Sequence, residues 1–339
     1  MAEAGVELLF DNSDWGAMGF FEAAKGLPSY LYVRRLLERE LVLNKPDLVL
    51  LVDFGAFNSK IAAKAKALGR KVFYFLPPKS WSRKERDWSP FAAVTDAVAT
   101  QFPWSETLLR ASGVNATYVG HPLMDLLKDA LPKSQEEATA VRDFGDAPII
   151  GLLPGSRHAE LRHMLSPLLV AGYHLRKRFS KARLLVSRAR PVLQRHFDKR
   201  AEAIRELDIE VRDDVHSLLR ECDFVLACSG TVTLEAALLV RPMLIAYRAN
   251  PLHWVQYLAL RPTMFGLPNI IAGRHVVPEL IQPSGAELAR AALRLLESPS
   301  LLRAQRQSLW LECASALRPG AFDGTVKLAL ELLDREAVS

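Results

Sequence analysis

Short apolar runs alternate with longer amphipathic stretches along most of the chain. "DLVLLVD", "KVFYFLP", "DAVATQF" and "ATYVG" come first, then "PIIGLLP", "ARLLVS", "IEVRD", "FVLACSG" and "PMLIAY". Their length and their β-branched and aromatic content predict strands. Between them "SKIAAKAKALG", "SETLLRASG" and "RHMLSPLLVAGYHLRKRF" carry apolar residues at helical spacing. Such alternation predicts parallel sheets with helices on both faces and ligands at the carboxyl ends of the strands. A polar, partly helical stretch at 127–148 separates two strand systems. The expected class is therefore α/β, with two doubly wound Rossmann-like domains facing each other across a cleft and C-terminal helices. The expected boundaries are 1–140, 141–283 and a helical extension at 284–339 that packs on either domain or on a partner chain.

The pattern "VLACSGTVTLEAALLVRPMLIAYR" (225–248) puts a turn of small hydroxyl residues between a strand and a helix. Gly230 lets a ligand approach the backbone, and Ser229, Thr231 and Thr233 set hydroxyls beside the N–H groups that open the helix. A phosphate or diphosphate suits that place. Glu235 lies four residues after Thr231, outside capping-box spacing, so it is either a carboxylate facing a sugar diol or one exposed Glu in an ordinary helix start. A second loop, "IIGLLPGSRHAEL", brings Gly155, Ser156 and Arg157 to another strand-to-helix turn, with the helix expected from about Ala159. It has neither P-loop nor G-x-G-x-x-G spacing. The two loops together predict a nucleotide-sugar binder.

Composition narrows this only slightly. The 339 residues are 50% hydrophobic and 24% charged, enough for two cores, and the formal charge of +6 suits nucleic acid, an anionic membrane or phosphorylated substrates. Nucleic acid is disfavoured because the basic residues are spread through helices with no aromatic-rich binding motif. Three cysteines, Cys222, Cys228 and Cys313, read as reduced core residues, and a cytoplasmic location is expected. No stretch reaches the length of a membrane span. No His/Cys/Asp cluster has convincing metal-ligand spacing.

"LLPGSRHAEL", "CSGTVTLEAALLVRPMLIAYR", "YVGHPLMD", "FGLPNIIAGRHVVPELIQ" and, more weakly, "VDFGAFN" and "FLPPKSW" resemble, in order, the signatures of the lipid-A-disaccharide synthase family. The resemblance implies a GT-B glycosyltransferase. It would move a diacylglucosamine from UDP to a diacylglucosamine 1-phosphate, inverting the anomeric centre to form a β-1,6 link, with no metal or other cofactor. Positive side chains and helix termini would stabilise the departing UDP. Carried onto this chain, Gly155, Ser156, Arg157, Ser229, Gly230 and Thr231 would bind the donor diphosphate and Glu235 the ribose. Tyr247 and Arg248 would border the cleft, and Asn269 would reach the donor sugar or its phosphate. Asn269 and Arg274 also fit plain structural roles, and His121 fits a hydrogen-bonded hinge better than a catalyst.

Two departures from the family pattern fall in the first domain. The family opens with a strand and a Ser-Gly-Asp loop, whereas this chain opens with "MAEAGVELLF" after that unit, so the first domain is expected to be N-terminally incomplete. The family's Asp-x-Pro-Asp-Phe-Asn appears as Asp53 to Asn58 with Ala56 at the second Asp, the expected general base. Asp53 is the nearest surviving carboxylate and the candidate to take over part of that role. A transferase with a different acceptor, or a catalytically impaired UDP-sugar or lipid binder, are the alternatives. Residues 16–43 mix aromatic, leucine and basic residues in a way that suits an anionic bilayer surface, or pack on the first domain instead. The expectation is peripheral contact with the inner face of the cytoplasmic membrane. A homodimer is expected only by analogy with the family.

Overall fold

The computed structural model describes residues 4–11, 27–248 and 264–334. Its strands are β1 (Leu48–Val52), β2 (Lys71–Phe75), β3 (Ala97–Thr100), β4 (Ala116–Tyr118), β5 (Ile149–Leu153), β6 (Arg183–Ser187), β7 (Ile209–Arg212), β8 (Phe224–Cys228), β9 (Met243–Tyr247) and β10 (Glu279–Ile281). The helices used below are α1 (Leu27–Leu43), α2 (Gly55–Ala67), α3 (Pro103–Arg110), α4 (His158–Arg178), α5 (Val215–Glu221), α6 (Thr231–Leu238), α7 (Leu267–Ala272), α8 (Gly285–Leu296), α9 (Pro299–Leu309) and α10 (Ala321–Asp334). Nine of the strands coincide with apolar runs in the sequence. The tenth, β10, was not anticipated: it is three residues long and only half-buried.

All pairings are parallel, in two sheets ordered β1-β2-β3-β4 and β10-β9-β8-β5-β6-β7. A parallel strand covered by helices on both faces has no polar side, which is why β8, "FVLAC", is buried at every position. In the first sheet the strands follow chain order. Its edge strand β1 leaves Leu50 and Val52 exposed. In the second sheet the order corresponds to 3-2-1-4-5-6, the doubly wound arrangement, with its reversal between β5 and β8.

Two compact units result. One holds the described residues up to Leu126 and those from Leu317 on; the other is Leu127–Ala316. These bounds differ from the expected 1–140, 141–283 and 284–339, because the C-terminal helices do not form one extension. Helices α8 and α9 complete the second unit. Gly285 sits so close to α4 that a Cβ there would lie 2.5 Å from Val170 Cβ, and Leu288, Ala292 and Leu302 enter that unit's core. Helix α10 instead joins the first unit, where Ala321, Ala329 and Leu332 pack with Phe73, Phe75, Ala97, Ala99 and Val119. Both of its ends are held by side chains from elsewhere in that unit. Asp125 accepts from Gly320 N at 2.6 Å and Phe322 N at 3.2 Å, while Lys71 Nζ donates to the carbonyls of Leu332 (2.7 Å) and Leu333 (3.2 Å).

Helix α1 covers part of the expected membrane-facing segment; residues 16–26 lie outside the described residues. Val33 and Leu41 are buried, and Tyr30 and Leu37 pack on the core around Phe57 and Ile61. Leu31, Tyr32, Arg35, Arg39, Val42 and Leu43 are exposed. No helix among the described residues is long and apolar enough to cross a membrane. The three cysteines are buried, and burial pushes their thiols up.

His121 is buried and hydrogen-bonded just after β4. Its Nδ1 accepts from Leu123 N at 3.2 Å and its own N–H donates to Arg318 O at 2.9 Å, where the chain returns to the first unit. Burial lowers its pKa to about 4, only partly opposed by Asp125. The folded state therefore resists a proton that the unfolded chain accepts, so stability should be intact above about pH 6.5 and fall as pH drops towards 4. The cost reaches about 3 kcal/mol. His121→Asn keeps an acceptor but does not titrate, so denaturant melts between pH 4 and 7 should show a flatter acid limb. Identical slopes for variant and parent would remove His121 from that role.

Candidate functional site

The two sequence-predicted loops follow β5 and β8, the neighbouring strands at which the second sheet reverses its winding. Loops leaving such a pair diverge to opposite faces and open a crevice beyond the strand ends. Here that crevice is a pocket of about 220 Å³ whose lining includes Gly155, Ser156, Arg157, Ser229, Gly230, Thr231 and Glu235. Seven of the ten expected donor-binding residues therefore converge.

The first loop is built around a residue the sequence reading missed. Helix α4 starts at His158, and Glu160 in its first turn folds back on the loop. Its Oε2 accepts from Ser156 N (2.8 Å) and Arg157 N (3.2 Å), and its Oε1 pairs with Arg157 Nη1 (3.1 Å). An internal carboxylate thus sits on the two N–H groups expected to meet a diphosphate. Gly155 is required for this: its φ is +105°, and a Cβ would lie 2.4 Å from Glu160 Oε2. Arg190, also missed, donates to Ser156 O at 3.0 Å from the loop after β6. The signal for Glu160 was its position three residues after the N-cap, hidden because Arg157 stands where a Ser or Thr is usual.

The second loop keeps an open approach. Gly230 has extended backbone, and a Cβ there would meet nothing within 4 Å. Thr231 is exposed at the first turn of α6. Two hydroxyls expected to face the ligand are engaged elsewhere: Ser229 Oγ donates to Phe265 O (3.1 Å), and the buried Thr233 donates to Gly230 O (2.8 Å). Glu235 does line the pocket, but its Oε2 lies 3.0 Å from Nε2 of His216 on α5, so the carboxylate is not wholly free for a sugar diol. Burial pushes the Glu235 carboxyl up, with His216 opposing. His216 and Glu235 are brought together by tertiary packing across 19 positions, which no local pattern reveals.

The remaining donor-site expectations fare differently. Tyr247, half-buried at the end of β9, stands 6.3 Å from the Phe265 ring and outside the pocket lining. Burial raises its hydroxyl, with Cys228 and Glu160 adding to the effect. Arg248 donates to Pro283 O beside β10. Asn269 is a correction. It is fully buried, its Oδ1 accepts from Val276 N (2.7 Å) and Val277 N (2.9 Å), and its Nδ2 donates to Val277 O (2.9 Å) and Glu279 Oε1 (2.7 Å). With its hydrogen-bonding capacity spent on the turn after α7, it has nothing left for a donor sugar. Arg274 is likewise structural, paired with Glu312 (Nε to Oε2, 2.7 Å).

In the first unit, Asp53 ends β1 with φ +46°, and Phe54 follows at φ +45°. Two successive non-glycine residues in the left-handed region mark stored strain. The loop is pinned through its carbonyls: Asn58 Nδ2 donates to Val52 O (3.0 Å) and Asp53 O (2.8 Å), and the buried Tyr74 hydroxyl donates to Asp53 O (2.5 Å). Burial pushes that hydroxyl up to about 12. A Cβ on Gly55 would lie 2.3 Å from Pro78 Cβ, so "VDFGAFN" and "FLPPKSW" meet at this edge. The side chains of Asp53 and Ala56 are both exposed.

A parallel sheet of this order, with two strand-to-helix turns at its reversal, defines a Rossmann-type unit, and the whole chain has the GT-B fold. Solved structures similar to it include a putative UDP-N-acetylglucosamine 2-epimerase from Listeria monocytogenes (TM-score 0.58, 15% identity, 91% of this chain and 78% of that one). Others are the S. aureus MnaA-UDP co-structure (0.59, 14%, 92% and 82%) and the trehalose-6-phosphate synthase OtsA (0.51, 12%, 93% and 78%). At these identities the likeness concerns the fold. The family model described as lipid-A-disaccharide synthetase matches residues 1–313. Lipid-A-disaccharide synthases from Geobacter sulfurreducens (31% identical, 99% of this chain, 88% of the relative) and Nitrosococcus oceani (32%, 99% and 87%) are close to full-length relatives. The chain belongs to the lipid-A-disaccharide synthase family.

Proposed function

We propose that this chain transfers a diacylglucosamine from UDP to a diacylglucosamine 1-phosphate, with inversion, in lipid A biosynthesis. The observation that carries the reading is the convergence of Arg157, the α6 N-terminus and Glu235 on one pocket at the switch point. The UDP named for the S. aureus MnaA neighbour supports a uridine donor. The diphosphate would lie between the Arg157 guanidinium and the N–H groups of α6, which stabilise charge as UDP departs. Glu235, oriented by His216, would accept from the ribose. The second unit is then the donor side and the first the acceptor side, where Asp53 would take the acceptor proton. Ala56 favours a second reading, a slowed transferase or one with another acceptor, because a methyl accepts no proton. The exposed Leu31, Tyr32, Arg35 and Arg39 of α1 would meet an anionic membrane where acylated substrates reside.

Calorimetry with UDP is the first test. Arg157→Ala and Glu235→Gln should each weaken binding about 10- to 100-fold, the loss expected for one charge-assisted hydrogen bond. Because the Glu235 carboxyl is raised, UDP affinity should start to drop above the ordinary carboxylate range as pH falls, and Glu235→Gln should lack that limb. A folded chain that gives no UDP heat removes the donor-site assignment. In turnover with the UDP-diacylglucosamine donor, Asp53→Asn should cost roughly 10²–10⁴ in rate; unchanged turnover would acquit Asp53. Cosedimentation with anionic liposomes at low salt should exceed that with neutral ones, and equal recovery with both would count against the membrane reading.

A further inference from the structure

At the opposite edge of the second sheet, before β5, β8 and β9 begin, lies a cavity of about 380 Å³ that the donor pocket does not include. Strands of five residues at about 3.3 Å each put roughly 16 Å between the two. Arg220, Arg241 and Arg306 line it, and among the described residues none of them has a carboxylate partner within ion-pair distance. The acidic residues of the lining are otherwise occupied. Asp223 is held in a two-pronged pair by Arg142 and also accepts from Ile149 N at 2.8 Å. Glu221 faces Arg183 and Arg212 at 3.5 and 3.7 Å, and Glu137 accepts from Lys133 N at 2.9 Å.

Of the three arginines, Arg241 is poorly satisfied. Arg241 Nε is buried without a hydrogen-bond partner, and the guanidinium's contact with protein is a long 3.4 Å bond to Cys222 O. Arg306 donates to the backbone oxygens of Ala138 (2.8 Å) and Glu137 (3.3 Å). Three guanidinium groups, two of them half-buried, share the cavity with no carboxylate among the described residues in direct ion-pair contact, and an anion among them would relieve their mutual repulsion. We propose that this cavity is a second anion site, separate from the donor pocket, that takes the phosphate group of a small phosphorylated molecule through Arg220, Arg241 and Arg306.

Guanidinium forks match the oxygens of a phosphate, and three of them more than offset its double charge. The volume exceeds what a bare phosphate fills and falls in the range of small-molecule sites, while Val141, Phe144 and Leu302 offer an apolar wall to an organic part. Burial and the neighbouring Arg241 lower the Arg306 pKa to about 10, with Asp223 opposing, so the group stays charged at neutral pH.

The test is calorimetry on the full chain in phosphate-free buffer, with inorganic phosphate and, separately, glucose 6-phosphate as probes, all in the Arg157→Ala background to weaken the other pocket. At least one probe should give a single saturable site, weakened tenfold or more by Arg220→Glu and by Arg306→Met. Tighter binding of glucose 6-phosphate would assign an organic ligand, and equal binding free phosphate. Arg220 is exposed, so its substitution leaves the fold intact even where Arg306→Met does not. Absence of a saturable heat from both probes, or a heat that survives Arg220→Glu, overturns the proposal.

Discussion

A parallel sheet that winds one way and then the other must part its loops where the direction changes. That parting between β5 and β8 sets the position of the two loops that shape the pocket. It needs strands without a polar face, which "IIGLL" and "FVLAC" supply, and helices that start immediately after them, so that their unpaired N–H groups point into the gap. Gly155 and Glu160 shape one lip, and Gly230 with the α6 N-terminus shapes the other. Neither lip would exist if the strand order ran straight through, as it does in the first sheet.

The electrostatics of the pocket follow from the same geometry. An anion-binding loop is also an attractive site for the protein's own carboxylates, and Glu160 takes it. The Arg157 guanidinium, 60% exposed at its side chain though paired with Glu160, and the α6 terminus then supply the positive side of the pocket. Glu235 stands across from them, where burial raises its carboxyl and the His216 contact opposes that shift. The pocket thus pairs a positive side with a carboxylate whose pKa is raised by burial.

Strands and anion-ready loops were legible in the sequence because burial on both faces writes continuous apolar runs, and because glycine beside hydroxyl or basic residues at a strand end has few other uses. What escaped depended on long-range contacts. β10 is a three-residue edge strand whose apolar content is too short to register. The amphipathic pattern of the tail declares that a face is covered but not by what, so the division of α8 and α9 from α10 was invisible. Asn269 was misjudged for a related reason: a polar residue near a proposed site reads as a ligand contact, until its four hydrogen bonds with Val276, Val277 and Glu279 account for it. His216 and Glu160 carried no label in the chain because their roles lie in the partners they meet.

The return of α10 to the first unit has a consequence for biosynthesis. Phe73, Phe75, Ala97, Ala99 and Val119 lie in the first third or so of the chain, yet the surface that covers them comes from Ala321, Ala329 and Leu332 near its end. On the ribosome that face of the nascent sheet stays bare through the synthesis of some two hundred residues, during which the second unit, contiguous from Leu127 to Ala316, can complete its own fold. The sheet made first is therefore the one whose cover is made last.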